Sequence, residues 1–135
     1  MYYIGVEQET GIFNQDRYWD NDFLKNGPDF NSYGATRVSQ SGQYMLIGDG
    51  SIFDTFYASK VNDLGARIID AQWLESGELI SLNHANMGST VEHYDRSLAK
   101  INSTLLPANG QWIIKTRWQY HVVLQTPAGP NFVRY

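Results

Sequence analysis

The chain has 135 residues, carries a net charge of −4 and contains no cysteine, which excludes several classes of protein together. Without cysteine there are no disulfides, thiol nucleophiles or thiolate metal ligands. The 10 Lys and Arg residues are scattered along the chain, so we expect no nucleic-acid binding. The length suits a single domain, which we place over residues 1–135.

Aromatic residues make up 14% of the chain, whereas charged residues make up only 18%. Aromatic and β-branched side chains favour pleated, half-buried strands. No stretch approaches the ~18 consecutive apolar residues that cross a bilayer, and the first residues lack the basic start and apolar run of a signal peptide. We expect a β-rich domain that does not insert into a membrane, in a compartment that the sequence leaves open.

The amino-terminal segment YYIGVEQETGIFNQDRYWD, residues 2–20, resembles a later segment, QYMLIGDGSIFDTFYAS, residues 43–59. It predicts a truncated repeat that starts at the second strand of a unit. The acids that follow, Asp20 and Asp22, have the first spacing of a calcium loop, but the sixth position holds Lys25 instead of glycine. The sequence Gly48-Asp49-Gly50-Ser51 predicts a tight hairpin turn.

Three turn pairs, Ser41-Gly42, Ser76-Gly77 and Asn109-Gly110, punctuate the rest of the chain, 35 and 33 residues apart. Each precedes an apolar run that predicts a strand, and each run is followed by a polar tip and a returning strand. A period of 33 to 40 residues in an all-β chain indicates propeller blades or a related β array. A small sheet cannot bury both of its faces alone, so neighbouring copies must stack.

The segment NDLGARIIDAQWLES, residues 62–76, fits a helix with one apolar face or a strand that turns at Ser76-Gly77. We favour the strand because the same pattern, an apolar run and a glycine-containing turn, recurs elsewhere in the chain.

The stretch from Trp73 to Asp95 runs as strand, Ser-Gly turn, strand, glycine-containing tip and a strand that ends in Tyr94-Asp95. This order resembles a blade of the WD-repeat type of β-propeller, in which a Trp-Asp pair ends the third strand. The order of strands and turns resembles that of the family over the whole chain, whereas the sequence motif is matched in one blade only. It implies an all-β fold of about ten antiparallel strands in three to four short propeller-like blades, and it implies nothing about function.

No catalytic residue or metal site is predicted. The histidines have no ligand spacing, and acid pairs such as Asp49 and Asp54 are not distinguished from other acids. No cofactor is predicted either.

The aromatic residues give the one positive hint of a ligand site. An exposed ring beside polar groups suits a sugar or a protein contact, because the ring supplies apolar area and the polar groups supply direction. The competing interpretation is that these aromatic rings pack between blades. The candidate ligand-binding residues are Trp19, Arg117, Trp118 and Tyr120.

These observations lead to three hypotheses of function. The first is a non-enzymatic structural or interaction module, such as a virion or other assembly component, that assembles with itself and other proteins through its β edges and partner surfaces. The second is a carbohydrate-binding, lectin-like module with a glycan as its partner. The third is a hydrolase that uses scattered acids.

An unpaired final strand would be a liability, so we also expect Asn131–Tyr135 to complete the sheet of the first copy, within the chain or in a ring-like homo-oligomer.

Overall fold

The computed structural model describes the backbone of four short segments (2–6, 12–19, 22–25 and 30–31), and residues 35–135 except Trp118 with their side chains. Regular structure in these residues is entirely β, in fifteen strands, which confirms the all-β prediction and exceeds the ten strands expected. None of the described residues forms a helix of the length and apolarity needed to span a membrane.

The strands form four antiparallel sheets, in each of which successive strands are hydrogen-bonded neighbours apart from β4, which pairs with β2. The first sheet contains β1 to β4, the second β5 to β8, the third β9 to β12 and the fourth β13 to β15. Their bounds are β1 Tyr2–Val6, β2 Ile12–Trp19, β3 Asp22–Lys25, β4 Phe30–Asn31, β5 Arg37–Val38, β6 Tyr44–Leu46, β7 Ser51–Asp54, β8 Ser59–Asp63, β9 Ile68–Trp73, β10 Leu79–Ala85, β11 Gly88–Tyr94, β12 Lys100–Leu105, β13 Asn109–Lys115, β14 Tyr120–Thr126 and β15 Gly129–Arg134.

Equivalent turns connect the first two strands of the second and third sheets. Gly42 and Gly77 both have positive φ, 74° and 87°, a conformation that glycine adopts without steric cost. Each glycine N–H donates to the carbonyl three residues earlier, that of Ser39 or Leu74. The predicted repeat of Ser-Gly turns is therefore confirmed for these two sheets. The strand prediction for Ile68–Trp73 is also confirmed, since this segment is β9.

The third predicted turn, Asn109-Gly110, is wrong, because both residues lie inside β13. The turn equivalent to the other two is formed by Thr116–Gln119, where the Thr116 N–H donates to the Gln119 carbonyl. A Cβ on Gly110 would lie 2.6 Å from a methyl carbon of Leu82 in the third sheet. Gly110 thus permits close contact between two sheets and does not form a turn.

The apolar core lies between successive sheets. One cluster joins Leu46 and Ile52 of the second sheet to Trp73 and Leu79 of the third. A second cluster lies between the third and fourth sheets, and its buried members are Ile80, Leu82, Val91, Leu106, Ile113, Val122 and Leu124. The second sheet covers one face of the third sheet and the fourth sheet covers the other, as expected for stacked repeats.

A single buried carboxylate connects the first strands of these three sheets. Asp70 of β9 accepts a hydrogen bond from the Arg37 guanidinium of β5 at 2.6 Å. The same oxygen accepts from the Ala71 N–H at 2.8 Å, and the other oxygen accepts from the Ile113 N–H of β13 at 2.8 Å. The side chain of Asp70 is only 4% exposed. The strands that begin the three sheets are therefore held together by charge-assisted hydrogen bonds.

The carboxy-terminal strand does not complete the first copy within the described part of the chain. β15 pairs antiparallel with β14, with Val133 opposite Val122 and Phe132 opposite Val123. The hairpin at Thr126–Gly129 makes this pairing local, so the strand is the third of its own sheet. Completion of the first copy across to a neighbouring chain stays a prediction. Apolar clusters connect the three sheets formed by residues 35–135. That residues 1–135 form a single domain stays a prediction.

Asp70→Ala should lower the free energy of unfolding by about 3 kcal/mol, because it leaves a guanidinium and a buried N–H without their acceptor. Asp70→Asn keeps one acceptor oxygen and should lose less. Lys60→Ala, which removes an exposed ion pair with Asp63, should cost less than ~1 kcal/mol. Urea denaturation checks this order, and equal losses in the three variants would contradict the role given to Asp70.

Candidate functional site

Of the four predicted ligand residues, the structure describes the side chains of Arg117 and Tyr120. Trp19 ends β2 in the first sheet, and its side chain lies outside the described residues, as does the whole of Trp118. Arg117 lies between β13 and β14, and Tyr120 is the first residue of β14. Arg117 is exposed, whereas Tyr120 packs against the core between the third and fourth sheets. The ligand-binding role of these four residues stays a prediction.

A cleft of about 330 Å³ opens elsewhere, between the equivalent turns of the second and third sheets. We call it the inter-turn cleft. One wall is the turn from Ser39 to Tyr44, and the other is the segment from Trp73 to Gly77, with Arg96 contributed by the turn after β11. Its volume lies at the lower end of the ~300–1,000 Å³ range of small-molecule sites.

The floor of the inter-turn cleft is aromatic. The rings of Tyr44 and Trp73 are stacked, with centroids 6.1 Å apart and planes inclined by 22°. Trp73 is buried and donates its indole N–H to the Arg37 carbonyl at 3.1 Å. The partly buried Tyr44 therefore rests on a ring whose orientation is fixed by packing and by a hydrogen bond.

Local hydrogen bonds hold the first wall of the inter-turn cleft. The Ser39 hydroxyl accepts from the Tyr44 N–H at 2.9 Å, and the Ser39 N–H donates to the Tyr44 carbonyl at 2.8 Å. Thr55 of the adjacent turn donates its hydroxyl to the Gly42 carbonyl. This wall is formed before any ligand arrives, which reduces the entropy lost on binding.

The second wall of the inter-turn cleft is held in a similar way. The Gly77 N–H bonds to Leu74 at 2.9 Å, and the Ser76 hydroxyl donates to a Glu78 carboxylate oxygen at 3.0 Å. Glu75 forms an ion pair with Lys115 of the fourth sheet at 2.9 Å. That hydrogen bond to Glu75 raises the pKa of Lys115. The carboxylates beside the cleft are therefore already engaged with protein groups.

Sequence analysis did not identify this site, since it is assembled from turns more than 30 residues apart. The predictions that Trp73 lies in a strand and that Tyr44 begins another are both confirmed. Neither residue adjoins a run of polar residues as Trp118 does, so neither was predicted to bind a ligand. The recurrence of the Ser-Gly turn was the available signal, because equivalent turns of stacked repeats lie side by side.

A second polar group, centred on Glu92, is buried in the third sheet. Its carboxylate accepts from the Tyr94 hydroxyl, the Asn83 amide at 2.9 Å and the Lys100 ammonium at 2.9 Å. Burial by itself raises the pKa of Glu92, but the hydrogen bonds from Tyr94, Lys100 and Ser103 outweigh it and lower that pKa. Burial and the neighbouring carboxylate also raise the pKa of Tyr94, which keeps the phenol protonated as a donor.

The acids that the sequence left as candidates have structural roles in turns. Asp49 accepts a hydrogen bond from the Ser51 N–H at 2.8 Å, so Gly48–Ser51 is a hairpin turn as predicted. Asp54 accepts from the Phe56 and Tyr57 N–H groups at 2.9 Å. In the part of the chain that the structure describes, no three His, Asp or Glu side chains are grouped so that they could hold a metal ion.

Comparison with known proteins gives a fold and no family. No family model matches the sequence, and no curated protein does either. Among solved structures, the chain is similar to dihydro-heme d1 dehydrogenase NirN in complex with DHE, with a TM-score of 0.61 and 8% sequence identity. The similarity covers 92% of this chain and 30% of that one. This neighbour supports a propeller-like arrangement of the sheets, and at this identity it carries no information on function.

The lowered pKa of Glu92 predicts an acid-dependent loss of stability. A carboxylate whose pKa is lowered by folding stabilises the protein above its unfolded pKa, ordinarily 4.5, and loses that contribution as the pH falls. Glu92→Gln should therefore be less stable than the natural protein by about 1–2 kcal/mol near neutral pH. The difference should shrink below about pH 4.5, as urea denaturation across pH can measure.

Glu75→Gln is the matched control, because Glu75 also pairs with a lysine but is 76% exposed. Its stability should follow that of the natural protein at every pH. A gap between Glu92→Gln and the natural protein that stays constant down to pH 3 would contradict this account of Glu92.

Proposed function

We propose that the chain is a non-enzymatic assembly module whose stacked sheets are continued by those of a second copy. The observation that carries this proposal is the outer face of the fourth sheet. We define this face by Trp112 and Ile114 of β13, His121 and Val123 of β14, and Phe132 of β15. Trp112 lies opposite Val123, and Val123 lies opposite Phe132.

Large apolar side chains on this face are open to solvent. Trp112 is 58% exposed, Phe132 is 60% exposed and Ile114 is 43% exposed. A shallow groove of about 290 Å³ runs between Ile114, Thr116, His121 and Phe132. Contiguous apolar surface of this kind marks an interaction site more often than scattered single residues do.

The third sheet shows what covers such a face. β10 begins at Leu79 and β14 begins at Tyr120, so Leu82 and Val123 occupy equivalent positions. Leu82 is paired with Val91 as Val123 is paired with Phe132. Leu82 and Val91 are fully buried in the core shared with the fourth sheet. The outer face of the fourth sheet thus continues an interface that the chain already uses once.

A second copy of the chain is the occupant that we propose. The same stacking relation that places the fourth sheet on the third would place a further sheet on the fourth. Two copies, joined head to tail, would contribute eight sheets, since the described residues of each chain form four. Propellers typically have four to eight blades, so two copies suffice to close a ring. The similarity to less than a third of NirN supports a partial propeller that needs further sheets.

The WD-repeat resemblance belongs to the same proposal. Tyr94 ends β11, and Asp95 accepts hydrogen bonds from the Ser97 N–H at 2.8 Å and the Ala99 N–H at 3.1 Å. The aspartate that follows the third strand thereby fixes the turn into the fourth. Asp54 has the same role after β7, which supports a common blade design in the second and third sheets.

Phe132→Ser should reduce self-association, because it removes the largest apolar group of β15 from the outer face of the fourth sheet. We expect the natural protein to have twice the chain mass by light scattering and the variant to shift toward one chain mass. The matched control is Phe56→Ser, since Phe56 is 63% exposed but lies in the turn between β7 and β8.

The control should leave the mass unchanged. A natural protein that stays at one chain mass at high concentration would contradict the proposal. An assembly that Phe132→Ser and Phe56→Ser disturb equally would also contradict it.

A further inference from the structure

We infer that the inter-turn cleft binds a pyranose ring of a glycan. This inference is independent of the assembly proposal, because the cleft lies between the second and third sheets whereas the proposed interface is on the fourth. It also differs from the sequence-based expectation, in which the glycan stacks on Trp19, Trp118 and Tyr120.

Aromatic surface and polar side chains meet in this cleft. Tyr44 is partly buried and stacks on Trp73, so its ring is held in place without being removed from the surface. The apolar face of a sugar ring packs on such a group, since the ring of C–H bonds matches aromatic surface. Tyr120 is less suited to this role because it packs against the core.

Two polar side chains at the rim are free to bind. In the part of the chain that the structure describes, the Arg96 guanidinium and the Gln40 amide have no hydrogen-bond partner, and both residues line the cleft. The stem of Arg96 lies over Gly77, 3.6 Å from the position of a Cβ there. A Cβ there would make ordinary van der Waals contact with this stem, and it is the positive φ of Gly77, 87°, that favours glycine.

The cleft offers both donors and acceptors to the hydroxyl groups of a sugar. Arg96 offers only donors, and Gln40 offers both a donor and an acceptor. The Ser41 hydroxyl, 3.2 Å from that of Ser39, adds a further polar group. Arg96 lines the cleft and Glu75 is paired with Lys115, so both neutral and acidic pyranoses have a donor to bind.

The size of the cleft limits the ligand. About 330 Å³ accommodates a small ligand and not an extended chain lying within the cleft. We therefore expect recognition of a terminal sugar, whose remaining rings extend into solvent between the two turns.

The test is an array of immobilised oligosaccharides that end in neutral hexoses, N-acetylhexosamines or uronic acids, probed with the full chain. We expect binding to at least one of these termini. Arg96→Gln should weaken that binding at least tenfold, and more for a uronic acid than for a neutral hexose, because the guanidinium pairs with a carboxylate. Arg117→Gln, at the site expected from sequence, should leave binding unchanged.

A second pair of variants tests the aromatic floor. Tyr44→Leu should weaken binding, whereas Tyr57→Leu should not, since Tyr57 is 66% exposed and lies outside the cleft. Circular dichroism of each variant checks that the β fold is intact.

The inference fails if the natural protein binds none of the three sugar classes. It also fails if Arg96→Gln binds like the natural protein, or if Arg117→Gln is the variant that loses binding. Because the outer face of the fourth sheet is unaltered in all these variants, light scattering separates a failed glycan site from a failed assembly.

Discussion

The relative positions of three sheets in this protein depend on one buried carboxylate. Asp70 is 4% exposed at its side chain and would be unstable there without compensation. It is compensated by Arg37 from the preceding sheet and by the Ile113 N–H from the following one. Apolar contacts between sheets fix how closely they pack, but they are not directional. The hydrogen bonds of Asp70 fix the relative positions of β5, β9 and β13, and the turns on either side inherit that alignment.

Much of the architecture could be predicted from sequence because it depends on local rules. An apolar run that follows a Ser-Gly turn predicts a strand such as Leu79–Ala85, and glycine is favoured where a tight turn requires positive φ. The prediction was wrong at Asn109-Gly110, where a turn signal lies inside β13. Gly110 is small because Leu82 of another sheet occupies the adjacent space. A contact between residues 28 positions apart leaves no local trace, so the sequence could not distinguish a glycine required for packing from one required for a turn.

The candidate site was harder to predict for the same reason. Sequence analysis selected Trp118 and its neighbours because aromatic and polar residues are adjacent there. The inter-turn cleft instead brings Tyr44 to Trp73 and Arg96 across the boundary between two sheets. Its residues are individually ordinary: two strand-end aromatics and a surface arginine. Only the relative placement of the sheets makes them a site, and that placement depends on buried contacts that a single sequence does not specify.

Both proposals follow from the way in which repeated sheets stack. A sheet in such an array has two faces, and the interior sheets bury both, as the third sheet does here. Stacking also places equivalent turns side by side, and at the boundary between the second and third sheets the two turns enclose a cleft. The last sheet breaks the pattern because its outer face carries Trp112 and Phe132 without cover. The buried Val123 between them continues the apolar surface across the central strand. An isolated domain has no use for such a face, since exposed aromatic groups favour aggregation. We propose that a partner of the same architecture covers this surface.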